Sequence, residues 1–184
     1  GGFQAGMYQL EASDGTNTVR QNLCVTIVNI NDNTPEITSD ADFSAAENQT
    51  AIGTVTATDA DGDLNDLTFS VSGSTLEINS STGVLTFASA PDFETTTSVT
   101  ATVTVSDGSL TDTQEVTVTV TDVNEAPSVT SSAAFTAEEN QTAVGTVTAT
   151  DPESDTLTFS VSGSTLEINS STGVLTFASA PDFE

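Results

Sequence analysis

Residues 67–94 and residues 157–184 spell the same sequence, LTFSVSGSTLEINSSTGVLTFASAPDFE, without one difference. Shorter copied motifs continue upstream: ENQTA begins at Glu47 and Glu139, and GTVTATD at Gly53 and Gly145. Asp14-Gly15 returns as Asp107-Gly108, and the segment ending at Pro35 returns as the one ending at Pro127. From Glu47 to Glu139 the spacing is 139 − 47 = 92 residues, the size of one small sandwich domain. A chain copied in this way folds as tandem units, each burying a core of its own. The expected division is residues 1-35 as the closing strands of one repeat, 36-127 as a complete repeat, and 128-184 as the opening part of a third. The copied motifs place both chain ends at one point of the repeat, so the two partial repeats add up to one whole unit. Head-to-tail completion of residues 133–184 by residues 1–35 of another molecule is one expected consequence; a slice from a longer polymer is the other.

Within a unit the pattern is all-β. Val99, Ala101, Val103 and Val105 alternate with Thr100, Thr102 and Thr104, and Val116, Val118 and Val120 alternate with Thr117 and Thr119. A period of two puts valine and alanine on a buried face and threonine, itself β-branched, on a wet one. Asp-Gly and Ser-Thr-Gly-Val turns punctuate the runs. About seven short strands per unit predict tandem Greek-key β-sandwiches of immunoglobulin-like architecture. The core of the middle unit is expected from Val55, Ala57, Phe69, Val71, Ile78, Leu85, Val103, Val105, Val118 and Val120. Such a core, without tryptophan, is thin for its length.

Charge narrows the function. The 184 residues carry 27 acids against one base, Arg20, for a net charge of −26. Nucleic-acid binding lacks its cationic footprint, an anionic lipid surface would repel the chain, and no apolar run is long enough to enter a membrane. With no histidine or lysine and a single cysteine, most nucleophile–base pairs cannot be assembled. Paired carboxylates could suggest glycoside hydrolysis, but the chain has no tryptophan and one tyrosine to stack a sugar; an enzyme is not expected. Cys24 excludes an intrachain disulfide framework. It is expected to point outward from a strand on which Leu23, Val25 and Ile27 point inward.

The acids fall in short motifs at strand ends: Glu47, Asp59-Ala-Asp61, Pro91-Asp92-Phe93-Glu94, Asp107-Gly108 and Asp122-Val-Asn-Glu125. Carboxylates gathered without lysine or arginine repel one another. A hard divalent cation relieves that repulsion, and Ca²⁺ takes 6–8 oxygens from carboxylates, amide side chains and backbone carbonyls.

Taken together and in this order, these motifs resemble the cadherin repeat. Asn29-Ile-Asn-Asp-Asn-Thr-Pro35 is similar to that family's linker, and the near-identical tandem copies look most like cadherin-like repeats of large microbial surface adhesins. The resemblance implies calcium between successive repeats and names its holders. After the middle unit these would be Glu47, Asp92 and Glu94, then Asp122, Asn124 and Glu125 with the Val123 carbonyl, then Asp151 and Glu153. Before the middle unit they would be Asn29, Asn31, Asp32 and Asn33 with Asp59, Asp61 and Asp107; Asp14 is the counterpart of Asp107. Glu139, Asp182 and Glu184 would serve a following junction. Three departures weaken the match: Asn29 stands where the family has Asp, Glu125 replaces the second linker Asp in a linker one residue shorter, and Glu153 replaces the second acid of Asp-x-Asp. The family's tryptophan-swap adhesion does not carry over, because tryptophan is absent.

The expected function is therefore a calcium-rigidified segment of an extracellular, cell-surface adhesin or filament. Neighbouring copies of the same chain are its expected partners, and a surface polysaccharide is the alternative. Asn48, Asn79, Asn140 and Asn169 lie in Asn-x-Ser/Thr sequons, which are modified only in a suitable host.

Overall fold

A computed structural model of the chain describes residues 6–28, 30–61 and 67–184. All regular structure among them is β-strand. The chain divides into two compact units: Gly1–Ala45 with Thr50–Ser89 and Ser98–Thr119, and Ala46–Gln49 with Ala90–Thr97 and Val120–Glu184.

The first unit opens with a hairpin of β1 (Gly6–Ser13) and β2 (Thr18–Val25), paired antiparallel with Leu10 opposite Gln21. Its turn is Asp14-Gly15. The Asp14 carboxylate accepts the backbone N–H of Thr16 at 2.8 Å and of Asn17 at 2.6 Å. Arg20 on β2 pairs with Glu11 on β1 at 2.8 Å. This two-stranded ribbon buries neither face. Leu23, Val25 and Ile27, expected inward, are exposed along with Cys24, because a lone hairpin gives a period-two pattern nothing to pack on.

The sandwich follows. Its strands are β3 (Glu36–Ile37), β4 (Asp42–Ala46), β5 (Ala51–Thr54), β6 (Ala57–Thr58), β7 (Thr68–Val71), β8 (Leu76–Ile78), β9 (Val84–Phe87), β10 (Ser98–Ser106) and β11 (Thr111–Thr121). One sheet runs β4-β11-β10-β7 and another β5-β9-β8, with a short β3–β6 ribbon. The expected seven strands are present as nine segments, because the first (β3, β4) and the second (β5, β6) are each interrupted. The two long strands of the pattern, β10 and β11, form the centre of their sheet, with Val103 opposite Gln114.

Buried side chains from both sheets form the core: Val103, Val105, Val116 and Val118 from β10 and β11, and Leu76, Leu85 and Phe87 from β8 and β9. Of the ten expected core residues, Ala57, Phe69, Val71 and Ile78 are only half-buried. Three of them sit on β7 and β8, which are sheet edges, and Ala57 lies in the two-stranded ribbon. Edge position alone does not decide it, since Leu76 on the same edge strand β8 is buried, as is Phe87 on the central β9. The Ser-Thr-Gly-Val turn between β8 and β9 requires its glycine: Gly83 has φ +69°, and a Cβ there would strike the Val55 carbonyl oxygen.

The second unit contains β12 (Ser128–Val129), β13 (Ala143–Thr146), β14 (Ala149–Thr150), β15 (Leu166–Ile168) and β16 (Val174–Phe177). Their sheets are β13-β16-β15 and β12-β14, reproducing β5-β9-β8 and β3-β6. Residues 158–161 copy the sequence of β7 but form no strand. In the first copy β7 is held by β10, with Val103 opposite Val71; no described strand pairs with residues 158–161. The same sequence is thus a paired strand in the first copy and unpaired in the second, while Phe159 keeps the bond to the Ser170 carbonyl that Phe69 makes to Ser80, both at 2.9 Å.

Candidate metal centres

Strand ends place the acids. Glu47 follows β4 directly, and its backbone N–H bonds the Thr121 carbonyl at the end of β11 at 3.0 Å. Its carboxylate is 2 % exposed and satisfied at both oxygens. Oε1 accepts the N–H of Val123 at 2.9 Å and Oε2 that of Phe93 at 2.7 Å. The neighbouring Asn48 holds φ +60°, a left-handed conformation that asparagine tolerates better than most residues. Its backbone N–H reaches the Pro91 carbonyl at 3.0 Å, and its Nδ2 donates to Glu125 Oε1 at 2.7 Å. Asn48 was not among the expected site residues. The sequence presents it as part of the Glu47-Asn48 motif and as a sequon, and no spacing rule reveals a hydrogen bond to a residue 77 positions away.

Glu47, Glu94, Asp122 and Glu153 each present a carboxylate oxygen within 4.8 Å of the others. Among the described residues this is the one such group of three or more acids. Repulsion within it is visible at Glu94, whose carboxyl is raised from its ordinary 4.5. The largest single influence, its own backbone N–H, lowers it. Desolvation, the Glu47 charge, a hydrogen bond with Asp92 and the Glu153 charge together overcome that effect. Glu153 accepts the backbone N–H of Glu125 on Oε1 at 3.3 Å, while its Oε2 is buried with no hydrogen-bond partner. A buried anionic oxygen left unpaired is costly.

The other expected members of this set lie around the four. Asp92 bonds Glu94. Asn124 Nδ2 donates to the Glu125 carbonyl at 2.9 Å, and Asp151 accepts the N–H of Asp155 at 3.1 Å. Val123, expected through its carbonyl, is fixed through its amide N–H to Glu47.

The second set lies in the first unit. Asp61 and Asp107 are buried. Asp61 Oδ2 accepts the N–H of Asp32 at 3.0 Å and of Asn33 at 2.8 Å, and Oδ1 accepts Asn33 Nδ2 at 2.6 Å. Asp107 Oδ1 accepts the N–H of Ser109 at 2.6 Å and of Leu110 at 2.7 Å, and Asn31 adds a side-chain hydrogen bond. Both carboxyls are held below their ordinary 3.8. For Asp61 the Asn33 backbone is the leading cause, and for Asp107 the Leu110 backbone. Asp59 Oδ1 accepts the N–H of Asp61 at 2.7 Å, but Asp59 Oδ2 is buried without a partner. Asn29 lies outside the described residues. Asp14 caps its exposed turn.

At the third location Glu139 Oε2 accepts the N–H of Phe183 at 3.0 Å, copying the Glu47–Phe93 bond. Asp182 accepts the N–H of Glu184 at 3.3 Å. Glu139 is exposed where Glu47 is buried.

The donor set is all oxygen, mostly carboxylate, with amide side chains close by. It contains two buried carboxylate oxygens without partners, and the one described cation, Arg20, is already paired with Glu11. This chemistry fits a hard divalent ion such as Ca²⁺ and does not fit a soft one.

Residues 41–121 match the cadherin domain. The fold agrees with that match along most of the chain. Mouse cadherin-23 EC22-24 is 25% identical with a TM-score of 0.54, covering 92% of this chain and 61% of its own. Human CDH23 EC21-23 is 22% identical with a TM-score of 0.59, covering 96% and 65%. Human protocadherin-24 EC1-2 is 22% identical with a TM-score of 0.58, covering 82% and 79%. The chain therefore spans about three fifths of the mouse cadherin-23 structure it matches. No curated protein sequence matches it. Cadherin domains are extracellular adhesion modules and not enzymes. The all-β, immunoglobulin-like sandwich read from the alternation is thus the fold observed, with cadherin structures as its neighbours, and no described helix is long and apolar enough to cross a membrane.

Proposed function

We propose that this chain is a calcium-stiffened adhesive segment of an extracellular surface protein or filament, built of cadherin-like repeats bounded at 1-35, 36-127 and 128-184. Glu47, Glu94, Asp122 and Glu153 would hold one ion group, with Asp92, Asn124, Glu125 and Asp151 beside them. Asp59, Asp61 and Asp107 with Asn31, Asp32 and Asn33 would hold another. Calcium supplies positive charge where carboxylates otherwise repel and fixes the linkers between repeats. The observation that carries this reading is the Glu153 carboxylate, with one oxygen buried and unpartnered among three other acids. Near-identity of the tandem copies supports a large microbial surface adhesin as the parent protein.

Self-association with further copies is the favoured partnership. Protocadherin gammaB7 EC3-6, one of the similar structures, is a cis-dimer. The comparisons lend no support to the polysaccharide alternative. Small-angle scattering in calcium and in chelator tests the stiffening. The maximum dimension should be greater and better defined with calcium; identical profiles in both conditions would refute the mechanism.

A further inference from the structure

Each unit carries the same exposed turn with the same acceptor sequence. Asn79-Ser-Ser81 joins β8 to β9, and Asn169-Ser-Ser171 joins β15 to β16. Asparagine two residues before serine or threonine is the pattern at which transferases join a sugar to the side-chain nitrogen. Asn48-Gln-Thr50 and Asn140-Gln-Thr142 have the same form, so sequence does not rank the four.

Geometry separates the turns from Asn48. Asn79 Oδ1 accepts the backbone N–H of Ser81 and of Thr82, both at 3.0 Å, and Asn169 Oδ1 accepts those of Ser171 and Thr172 at 3.0 Å. The turn backbone is held as well. The Asn79 N–H bonds the Val84 carbonyl at 2.8 Å, and the Asn79 carbonyl accepts the Gly83 N–H at 2.9 Å. The side-chain oxygen is thus committed to the turn, while Nδ2 of this exposed residue has no described hydrogen-bond partner. Asn48 is the reverse case, because its Nδ2 is the atom donated to Glu125 Oε1 at 2.7 Å. Beside Asn79 lies an open depression of about 420 Å³, bounded by Glu77, Ile78, Thr82, Val84 and Thr86. The counterparts of all five border Asn169. Val84 and Val174 are each 43% exposed and offer an apolar floor to one face of a sugar ring. Thr82, Thr86 and Glu77 offer oxygens to its hydroxyls.

We propose that Asn79 and Asn169 are carbohydrate attachment sites, each holding the first sugar against the outer face of its hairpin. A transferase joins Nδ2 to the anomeric carbon of a sugar activated as its nucleoside diphosphate. The bond from that carbon to the diphosphate oxygen breaks, the diphosphate leaves with the electron pair, and Nδ2 gives up one proton. β8 and β15 are edge strands of the sheets β5-β9-β8 and β13-β16-β15. An exposed edge invites pairing with other chains and is commonly guarded by lysine, which this chain lacks. A bulky, hydrated glycan at the end of each edge strand supplies that protection.

The test treats the folded chain with a soluble transferase that reads Asn-x-Ser/Thr, with uridine diphosphate glucose as donor, and maps added hexose by peptide mass spectrometry. Residues 67–94 and 157–184 are identical, so Ser81→Ala and Ser171→Ala variants assign the signal to one turn at a time. Both keep the backbone N–H that Asn79 or Asn169 accepts, so neither disturbs the turn. Occupancy at Asn79 and at Asn169 is expected to exceed that at Asn48 by about tenfold or more, the cost of breaking a hydrogen bond to a charged group. Glu125→Ala, which frees the Asn48 nitrogen, should narrow the gap. Equal occupancy at Asn48 and Asn79 would overturn the geometric argument. The same mapping on the protein from the cells that produce it should find sugar at both turns; bare asparagines there would overturn the proposal.

Discussion

The backbone N–H of Glu125 points at Glu153 Oε1, and on the same carboxylate Oε2 is buried with nothing to bond. A linker residue and an acid 28 positions later thereby share one half-satisfied group. Asp61 repeats the arrangement with the N–H groups of Asp32 and Asn33, so the substitution of Glu for Asp at 153 preserves contact with the linker. Removing the charge separates the two roles of Glu153. Glu153→Gln should raise the melting temperature of the calcium-free chain by a few degrees and weaken calcium binding roughly tenfold or more. Calorimetric titration beside melting curves measures both. Equal losses in calcium and in chelator would mark Glu153 as merely structural.

Asn48 is tied to Glu125 by its side chain while holding a left-handed backbone. Asn48→Gly keeps the conformation and loses only the hydrogen bond, whereas Asn48→Ala adds strain at positive φ. The alanine variant should therefore be less stable than the glycine variant by about 1 kcal/mol in chemical denaturation. The reverse order would contradict the assigned conformation.

Leu85 and Leu23 both sit at apolar positions of a period-two pattern, yet Leu85 is fully buried and Leu23 exposed. Leu85→Ala should cost about 2–5 kcal/mol. Leu23→Ala in dilute, unassociated protein should stay within about 0.5 kcal/mol of the parent. Urea unfolding of the two variants checks the contrast.

Acid should act oppositely at the two acid clusters of the calcium-free chain. Glu94 titrates above its ordinary 4.5 in the fold. Its contribution to stability is therefore complete below that value and lost as pH rises through the raised folded value. Asp61 and Asp107 titrate below 3.8; their contribution is complete above 3.8 and lost as pH falls through the depressed values. Carboxyl-carbon NMR titration in chelator should show Glu94 protonating well before Asp61 and Asp107. A shared midpoint would be the contrary result.

Much of the fold was legible because threonine–valine alternation encodes strands directly. β10 and β11 lie where that pattern is longest. Degree of burial was not legible: Phe69, Val71 and Ile78 alternate as core residues do yet are half-buried, while Leu76 on the same strand as Ile78 is buried. The same limit explains Leu23, Val25 and Ile27, whose pattern is that of a buried strand. At the acid clusters, the resemblance implied a larger ligand set, of which the structure gathers Glu47, Glu94, Asp122 and Glu153 within 4.8 Å of one another. The Asn48–Glu125 bond and the amide role of Val123 come from the chain crossing itself at a strand end, which no local pattern records.

Thermal unfolding during calcium titration addresses the metal centres most directly. Free calcium at a hundred times the dissociation constant should stabilise the chain by about 2.7 kcal/mol per site, reversibly on chelation, and the gain should shrink when Asp122→Asn and Glu153→Gln are combined. A melting temperature identical in calcium and in chelator would contradict calcium binding at these carboxylates.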